Sequence, residues 1–244
     1  MYADEYYSYA VREPSRIRAA LKRLLRYSRD TRDPVFAAPG SVLDFGCGAG
    51  EYLLRMRGLG WRCAGVEVNA TARERARASG LDVRAAIDGT DGFADASFDY
   101  VRANHSLEHV LDPGETLRSM HRVLKPGGML FLGVPTTSSE NARRFGEHWW
   151  HVTAPLHTFV PSREGLTGLL RRTGFRVLKA STNGDFAGTA GSLQIRLNRG
   201  SDRRSHQGIL FRLKPLLLLG QWYSRIQDRR GVGDKLEIIA ARDG

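Results

Sequence analysis

Residues 42–50 read Val-Leu-Asp-Phe-Gly-Cys-Gly-Ala-Gly and constrain the fold of this chain more than any other stretch. A short apolar run enters a turn with glycine at positions 46, 48 and 50, and an amphipathic helix is predicted to start near Glu51. Glycines let the backbone pass close beneath a ligand, and a helix N-terminus presents free N–H groups to negative charge. This arrangement suits a nucleotide-like cofactor at the carboxyl end of a parallel strand. The spacing is G-x-G-x-G, with Glu51 where the third glycine of the dinucleotide pattern G-x-G-x-x-G belongs. Asp44, two residues before the first glycine, would crowd a pyrophosphate but can pair with an ammonium group.

Further phrases follow at matching intervals. A second strand-like run, 62–68, ends in Glu67, about 20 residues past the turn, where a carboxylate can accept both ribose hydroxyls of an adenosine. Ser97-Phe98-Asp99-Tyr100-Val101 opens a strand that leads through Asn104 into His105, and Leu107-Glu108-His109-Val110 follows. Leu124-Lys125-Pro126-Gly127-Gly128 closes a helix over 112–124 and turns into an apolar strand at 129–134. Together and in this order, these phrases resemble the signatures of the class I S-adenosylmethionine-dependent methyltransferases, over about residues 40–182 plus the last strand. The branch resembled is the small-molecule one, with Leu-Glu-His after the fourth strand.

The resemblance implies a Rossmann-like α/β fold: a doubly wound, mostly parallel seven-stranded sheet with helices on both faces and an antiparallel last strand, 235–241. It also implies S-adenosyl-L-methionine as cofactor. Asp44, Phe45, Gly46, Cys47, Gly48 and Gly50 would surround its amino-acid tail, Glu67 and Val68 its ribose, and Asn104 and His105 its methionine side. The adenine loop falls near Ile87 and Asp88, where the sequence departs from the family: the acid stands at 88, and Ile87 occupies its usual place.

The 244 residues suit one α/β domain with additions. We expect a helical N-terminal lid at 1–40, where Tyr6 and Tyr7 could close over the site, and the methyltransferase core at 41–182. A basic helical insert is expected at 183–233 and a completing strand at 234–244. Helix 162–173 is expected to lead into a strand at 175–178. Cys47 and Cys63 show neither disulfide nor metal spacing, which fits a reducing, cytoplasmic setting. No secretory signal is read at the start of the chain, and the longest leucine run is far short of a membrane span.

Methyl transfer from a sulfonium is an in-line displacement that requires alignment and exclusion of water, and a hydroxyl acceptor also needs a base. Histidine is the natural candidate near neutral pH. Three of the seven histidines, His148, His151 and His157, follow the fifth strand, on the edge where loops meet ligand in such sheets. His151 and His157 are the preferred base or substrate-orienting residues, and His105 is the second candidate. Packing against Trp149 and Trp150 is the alternative for the first two. Trp149, Trp150 and Phe159 suit the walls of an apolar or ring-bearing substrate site, with plain core packing as the alternative. His148, His151 and His157 have no acidic partner at ligand spacing, so no metal is expected.

Charge separates the two ends of the chain. Residues 1–140 hold 19 Lys+Arg against 18 Asp+Glu, whereas 141–244 hold 18 against 8; within 196–230 the count is 9 against 2. Such a patch attracts anions. Ile209, Leu210, Leu213, Leu216 and Leu217 lie at near-helical spacing among these arginines, which suits a helix on an anionic membrane surface, at the inner face. Packing on the domain or on a second subunit is the alternative, and Pro215 favours two short helices over one. The leading reading is O-methylation of a small-molecule acceptor. A nucleic-acid methyltransferase has only the charge in its favour, since Asn104-His105-Ser106-Leu107 stands where amino-methylating base enzymes carry Asn/Asp-Pro-Pro-aromatic. A cofactor-binding protein without catalysis is the third reading.

Overall fold

The computed structural model describes residues 36–86, 89–152, 156–184, 186–198 and 214–243. The strands are β1 (Ser41–Phe45), β2 (Arg62–Val66), β3 (Asp82–Arg84), β4 (Phe98–Asn104), β5 (Leu124–Pro135), β6 (Phe175–Asn183) and β7 (Lys235–Arg242). The helices are α1 (Glu51–Gly58), α2 (Ala70–Ala78), α3 (Pro113–Val123), α4 (Glu140–Phe145), α5 (Arg163–Arg172), α6 (Phe186–Leu197) and α7 (Lys214–Arg229). The seven strands form one sheet in the order β3-β2-β1-β4-β5-β7-β6. The first five pair in parallel, and β7 runs antiparallel between β5 and β6. This is the doubly wound sheet that the sequence led us to expect.

The central strands are apolar on both faces because helices cover both. Val42, Tyr100 and Phe131 point to one side, where they pack with Tyr52, Leu53 and Met56 of α1 and with Trp61. Leu43, Val101 and Leu130, their neighbours along the strands, point to the other, against Leu117 and Met120 of α3 and Leu166 and Leu170 of α5. Asp112 caps α3 by accepting the Glu115 N–H at 2.8 Å, and Ser162 does the same for α5 with Gly165 at 3.0 Å. Pro113 sits in the first turn of α3, where its missing N–H costs no helical bond.

Two strands depart from expectation. Strand β5 begins at Leu124 rather than 129, because Leu124 pairs with Phe98 before Lys-Pro-Gly-Gly bulges out and Met129 rejoins opposite Tyr100. Strand β6 continues past residue 178 to Asn183, where β7 supplies a pairing partner, Lys235. Pro215 lies in the first turn of α7, a position that tolerates proline, and the segment before Lys214 lies outside the described residues. Of the expected lid only 36–40 fall within the described residues, so Tyr6 and Tyr7 lie outside them, as do Ile87, Asp88, Ile209, Leu210 and Leu213. Among the described residues no helix is long and apolar enough to cross a membrane.

Asp99 fastens the entrance of β1 to β4. Its carboxylate accepts the Ser41 N–H at 2.8 Å and hydroxyl at 2.7 Å, and Lys125 Nζ lies 2.8 Å away. Partial burial pushes this carboxyl up, but the hydrogen bonds from Lys125 and Ser41 and the lysine charge outweigh it, bringing the pKa down to about 2. A carboxylate depressed on folding stabilises above its unfolded pKa and loses that contribution as pH falls through the folded value. Asp99→Ala should therefore lower the unfolding free energy by about 1 kcal/mol near neutral pH, a modest figure for a partly solvated cluster. In urea titrations of the two proteins, the difference should narrow as pH drops from about 4 towards 2.

Candidate functional site

Strands β1 and β4 are neighbours, but the chain leaves β1 towards β2 and leaves β4 towards β5. At this switch point neither of these two connections crosses the carboxyl ends, which is where open α/β sheets bind ligands. The glycine turn opens from β1 on one side, and His105 follows β4 on the other. Gly46, Gly48 and Gly50 all take positive φ, at 78°, 55° and 86°. Two of them are excluded from carrying side chains by packing. A Cβ on Gly46 would stand 2.2 Å from Ser106 Oγ, and one on Gly50 would stand 2.4 Å from Leu81 Cδ1. A Cβ on Gly48 would meet nothing within 4 Å among the described residues, so this glycine borders open space. Gly46 and Cys47 donate to the Val66 carbonyl at 2.8 and 3.0 Å and hold the turn against β2.

The ribose candidate, Glu67, is buried at the end of β2. One carboxylate oxygen accepts the Gly48 N–H and the other the Asn69 N–H, each at 2.8 Å. Each oxygen keeps a further lone pair for a hydroxyl. Val68 beside it is 38% exposed, a flat apolar surface next to that acid. Phe45 and Cys47 are buried, so both offer backbone rather than side chain to a ligand. Burial, with Asp44 and Glu67 adding to it, pushes the Cys47 thiol well above its usual range, leaving it unreactive. Asn104 packs against Gly133, where a Cβ would stand 2.4 Å from its Oδ1.

Asp44 is also buried, and its Oδ1 lies 3.3 Å from Arg102 Nη1, directly across the β1–β4 pair. The guanidinium stacks on Tyr52 at 4.1 Å, with Phe131 at 5.7 Å. Sequence analysis passed over Arg102. The available signal was a charged residue inside a central parallel strand, a position that is otherwise apolar. The pair sets opposite charges side by side beneath the turn, matching the two ends of a zwitterionic amino-acid tail. An open glycine, a carboxylate at the second strand end and this pair together fit S-adenosylmethionine.

On the other side, His105 takes a left-handed backbone, φ 56°, and its N–H donates to the Gly133 carbonyl at 2.7 Å. This bend turns the imidazole back so that Nδ1 lies 3.2 Å from Glu108 Oε1. Burial opposes ionisation of Glu108, but the His105 hydrogen bond and charge, with His109 assisting, hold its carboxyl below the usual range. The Glu108 carbonyl accepts the N–H groups of Thr158 and Phe159 at 2.9 and 3.2 Å, and Thr158 Oγ1 donates to the Val110 carbonyl at 2.7 Å. These bonds dock the segment after β5 onto the segment after β4.

His157 thereby meets His109, with ring centroids 4.9 Å apart. The His151 ring stacks 6.4 Å from His157 and lies 5.1 Å from Trp149. Burial pushes the His157 pKa down. A cavity of about 300 Å³ is lined by Thr137, Arg143, Trp149, His151 and His157 among others. Its wall is anchored to the sheet, since Trp149 Nε1 and Asn141 Nδ2 both donate to the Asp234 carboxylate, at 2.9 and 2.7 Å. His148 stays on the surface beside Glu147, and His121 packs on Phe175, away from the cavity.

A family model described as a methyltransferase domain matches residues 9–180. The chain is 39% identical over 105 residues to methyltransferase GfsG of Streptomyces halstedii, a stretch covering 39% of this chain and 38% of that protein. It is 34% identical over 123 residues to the ubiquinone biosynthesis O-methyltransferase of Thiobacillus denitrificans, covering 48% of this chain and 51% of the relative. The chain thus spans about half the length, or less, of the curated relatives it matches. Its fold is similar to that of a methyltransferase solved in complex with the Haloferax volcanii methyltransferase activator. That likeness has a TM-score of 0.60 at 20% identity and covers 85% of each chain.

Two substitutions test the cofactor side. Glu67→Ala and Asp44→Ala should each weaken S-adenosylhomocysteine binding by about 1–3 kcal/mol through lost charge-assisted hydrogen bonds. Calorimetry reads the loss directly, and the wild-type protein should show no heat with NAD. Unchanged affinity in both variants would contradict the assignment.

Proposed function

We propose that this chain, which belongs to the class I S-adenosylmethionine-dependent methyltransferase family, methylates an oxygen of a small-molecule acceptor with His105 as general base. The observation that carries this reading is the His105–Glu108 pair, 3.2 Å apart, at the end of the strand that faces the glycine turn. The curated relative from Thiobacillus denitrificans, itself an O-methyltransferase, supports oxygen as the atom methylated. When bound, the cofactor supplies an electrophilic methyl group on a sulfonium. The buried Glu108 carboxylate accepts Nδ1–H of His105 and so fixes the tautomer, leaving Nε2 as the proton acceptor. With the cofactor bound, Nε2 would take the proton of the acceptor hydroxyl, leaving that oxygen free to receive the methyl group. Glu67 and the glycine turn fix the reacting geometry, which is the main contribution a protein can make to such a displacement.

The cavity lined by Trp149, His151 and His157 is the acceptor pocket in this reading. His151 and His157 line this pocket and orient the acceptor in this reading; His157, whose Nδ1–H is held by the His151 carbonyl at 2.9 Å, keeps Nε2 as a second proton acceptor. The basic insert has a separate role. Leu219 and Trp222 on α7 are 63% and 64% exposed, which supports contact of this segment with an anionic membrane surface. Binding to anionic but not neutral vesicles at low salt is the expected result; equal recovery on both contradicts it.

His105→Gln should keep S-adenosylhomocysteine affinity and lose roughly 10²–10⁴ in turnover. Release of S-adenosylhomocysteine against a panel of hydroxylated small molecules measures this. Undiminished turnover in the variant would contradict the base assignment.

A further inference from the structure

We propose that Glu108, His109 and His157 bind a divalent transition-metal cation beside the acceptor cavity, which His157 lines. One ligand atom from each residue lies within 4.8 Å of the other two. Sequence spacing concealed this set, because the acid next to His157 comes from the 3₁₀ turn Leu107–His109, on the far side of the intervening β5.

The hydrogen bonds around the set prepare its lone pairs. His109 Nδ1 lies 2.8 Å from the Leu156 carbonyl, and His157 Nδ1 lies 2.9 Å from the His151 carbonyl. A carbonyl can only accept, so each Nδ1 carries the proton and each Nε2 offers a lone pair. Backbone carbonyls that fix the tautomer in this way are the usual support of metal-binding imidazoles. Glu108 is 1% exposed, its Oε1 is engaged by His105, and its Oε2 has no hydrogen-bond partner among the described residues. A buried carboxylate oxygen without a hydrogen-bond partner among the described residues, beside two imidazoles of this tautomer, is costly until a cation or proton joins it.

The donor set selects the class of ion. Two imidazole nitrogens and one carboxylate suit zinc, iron(II), manganese(II) or cobalt(II), whereas magnesium and calcium prefer oxygen ligands and water. Ligand bonds of about 2.1 Å place two donors on one ion no more than about 4.2 Å apart. The triangle must contract by roughly half an ångström or more, which the half-buried His109 and His157 side chains can supply by rotation. Three protein ligands leave open positions, and one of the three, His157, lines the cavity. There the ion would hold an acceptor oxygen and favour its deprotonation, a role that rests on the methyl-transfer reading; the binding site itself does not.

The experiment uses untagged full-length protein, freed of metal with chelator and titrated with zinc chloride. About one equivalent should bind, and cobalt(II) substitution should give the visible absorption of a nitrogen- and oxygen-ligated ion. His109→Gln and His157→Gln should each weaken zinc binding by at least tenfold to a hundredfold. His148→Gln, on the surface nearby, should leave it unchanged. Both ligand variants are checked for native circular dichroism; where one fails to fold, the other carries the test. The absence of saturable zinc binding would overturn the site and assign the cluster to a shared proton. Equal zinc binding by wild type, His109→Gln and His157→Gln would overturn it as well. Calorimetry with S-adenosylhomocysteine on the same samples separates the two readings: its failure would bear on the methyl-transfer reading alone, and failure of zinc on the metal site alone.

Discussion

Everything at this site depends on the gap between β1 and β4. The two strands are hydrogen-bonded neighbours, Val42 with Tyr100 through Phe45 with Ala103, yet their connections depart in opposite directions. Neither of those connections passes over the gap. The carboxyl ends are left facing a crevice, with the glycine turn on one lip and His105 on the other. The rest of the sheet holds those lips still. Asp99 fixes the entry of β1, and β7, inserted antiparallel, supports β5 from Met129 to Pro135.

Charge is concentrated along this crevice, and almost all of it is buried. Glu67 satisfies the turn, Asp44 answers Arg102, and Glu108 orients His105. Buried carboxylates are expensive unless hydrogen bonds or opposite charges surround them, so a fold that places three in one edge is spending stability on function. The three divide the edge in space. Glu67 and Asp44 lie on the glycine-turn side, and Glu108 lies on the cavity side with the three histidines. His105 stands between the two halves, held in a left-handed conformation that few non-glycine residues adopt.

Much of this was legible in the residues themselves. The glycine turn, Glu67 and the helix caps are local: each follows from a few consecutive side chains and the conformations they allow. Gly46 and Gly50 show a limit even there, since what forbids a side chain at each is Ser106 or Leu81, far along the chain. Long-range pairings were not legible. Arg102 matters because it falls opposite Asp44 in a register that sequence does not display. The meeting of Glu108 with His157 depends on Thr158 and Phe159 docking on the Glu108 carbonyl, across 50 residues of intervening chain. Sequence reading weighed His151 and His157 against their own neighbours and so missed the acid that the fold delivers to them. The extension of β5 back to Leu124 was hidden for a similar reason, because a proline-glycine bulge interrupts the pattern without ending the strand.

The central claim is that one crevice seats the cofactor on the glycine turn and aims its methyl group at the histidine cluster. A crystal structure of the complex with S-adenosylhomocysteine tests this most directly. The account predicts both ribose hydroxyls within hydrogen-bond distance of Glu67, the backbone at Gly48 against the ligand, and the sulfur facing His105 and the cavity. A ligand whose ribose lies away from Glu67, or whose sulfur faces away from His105, would contradict it.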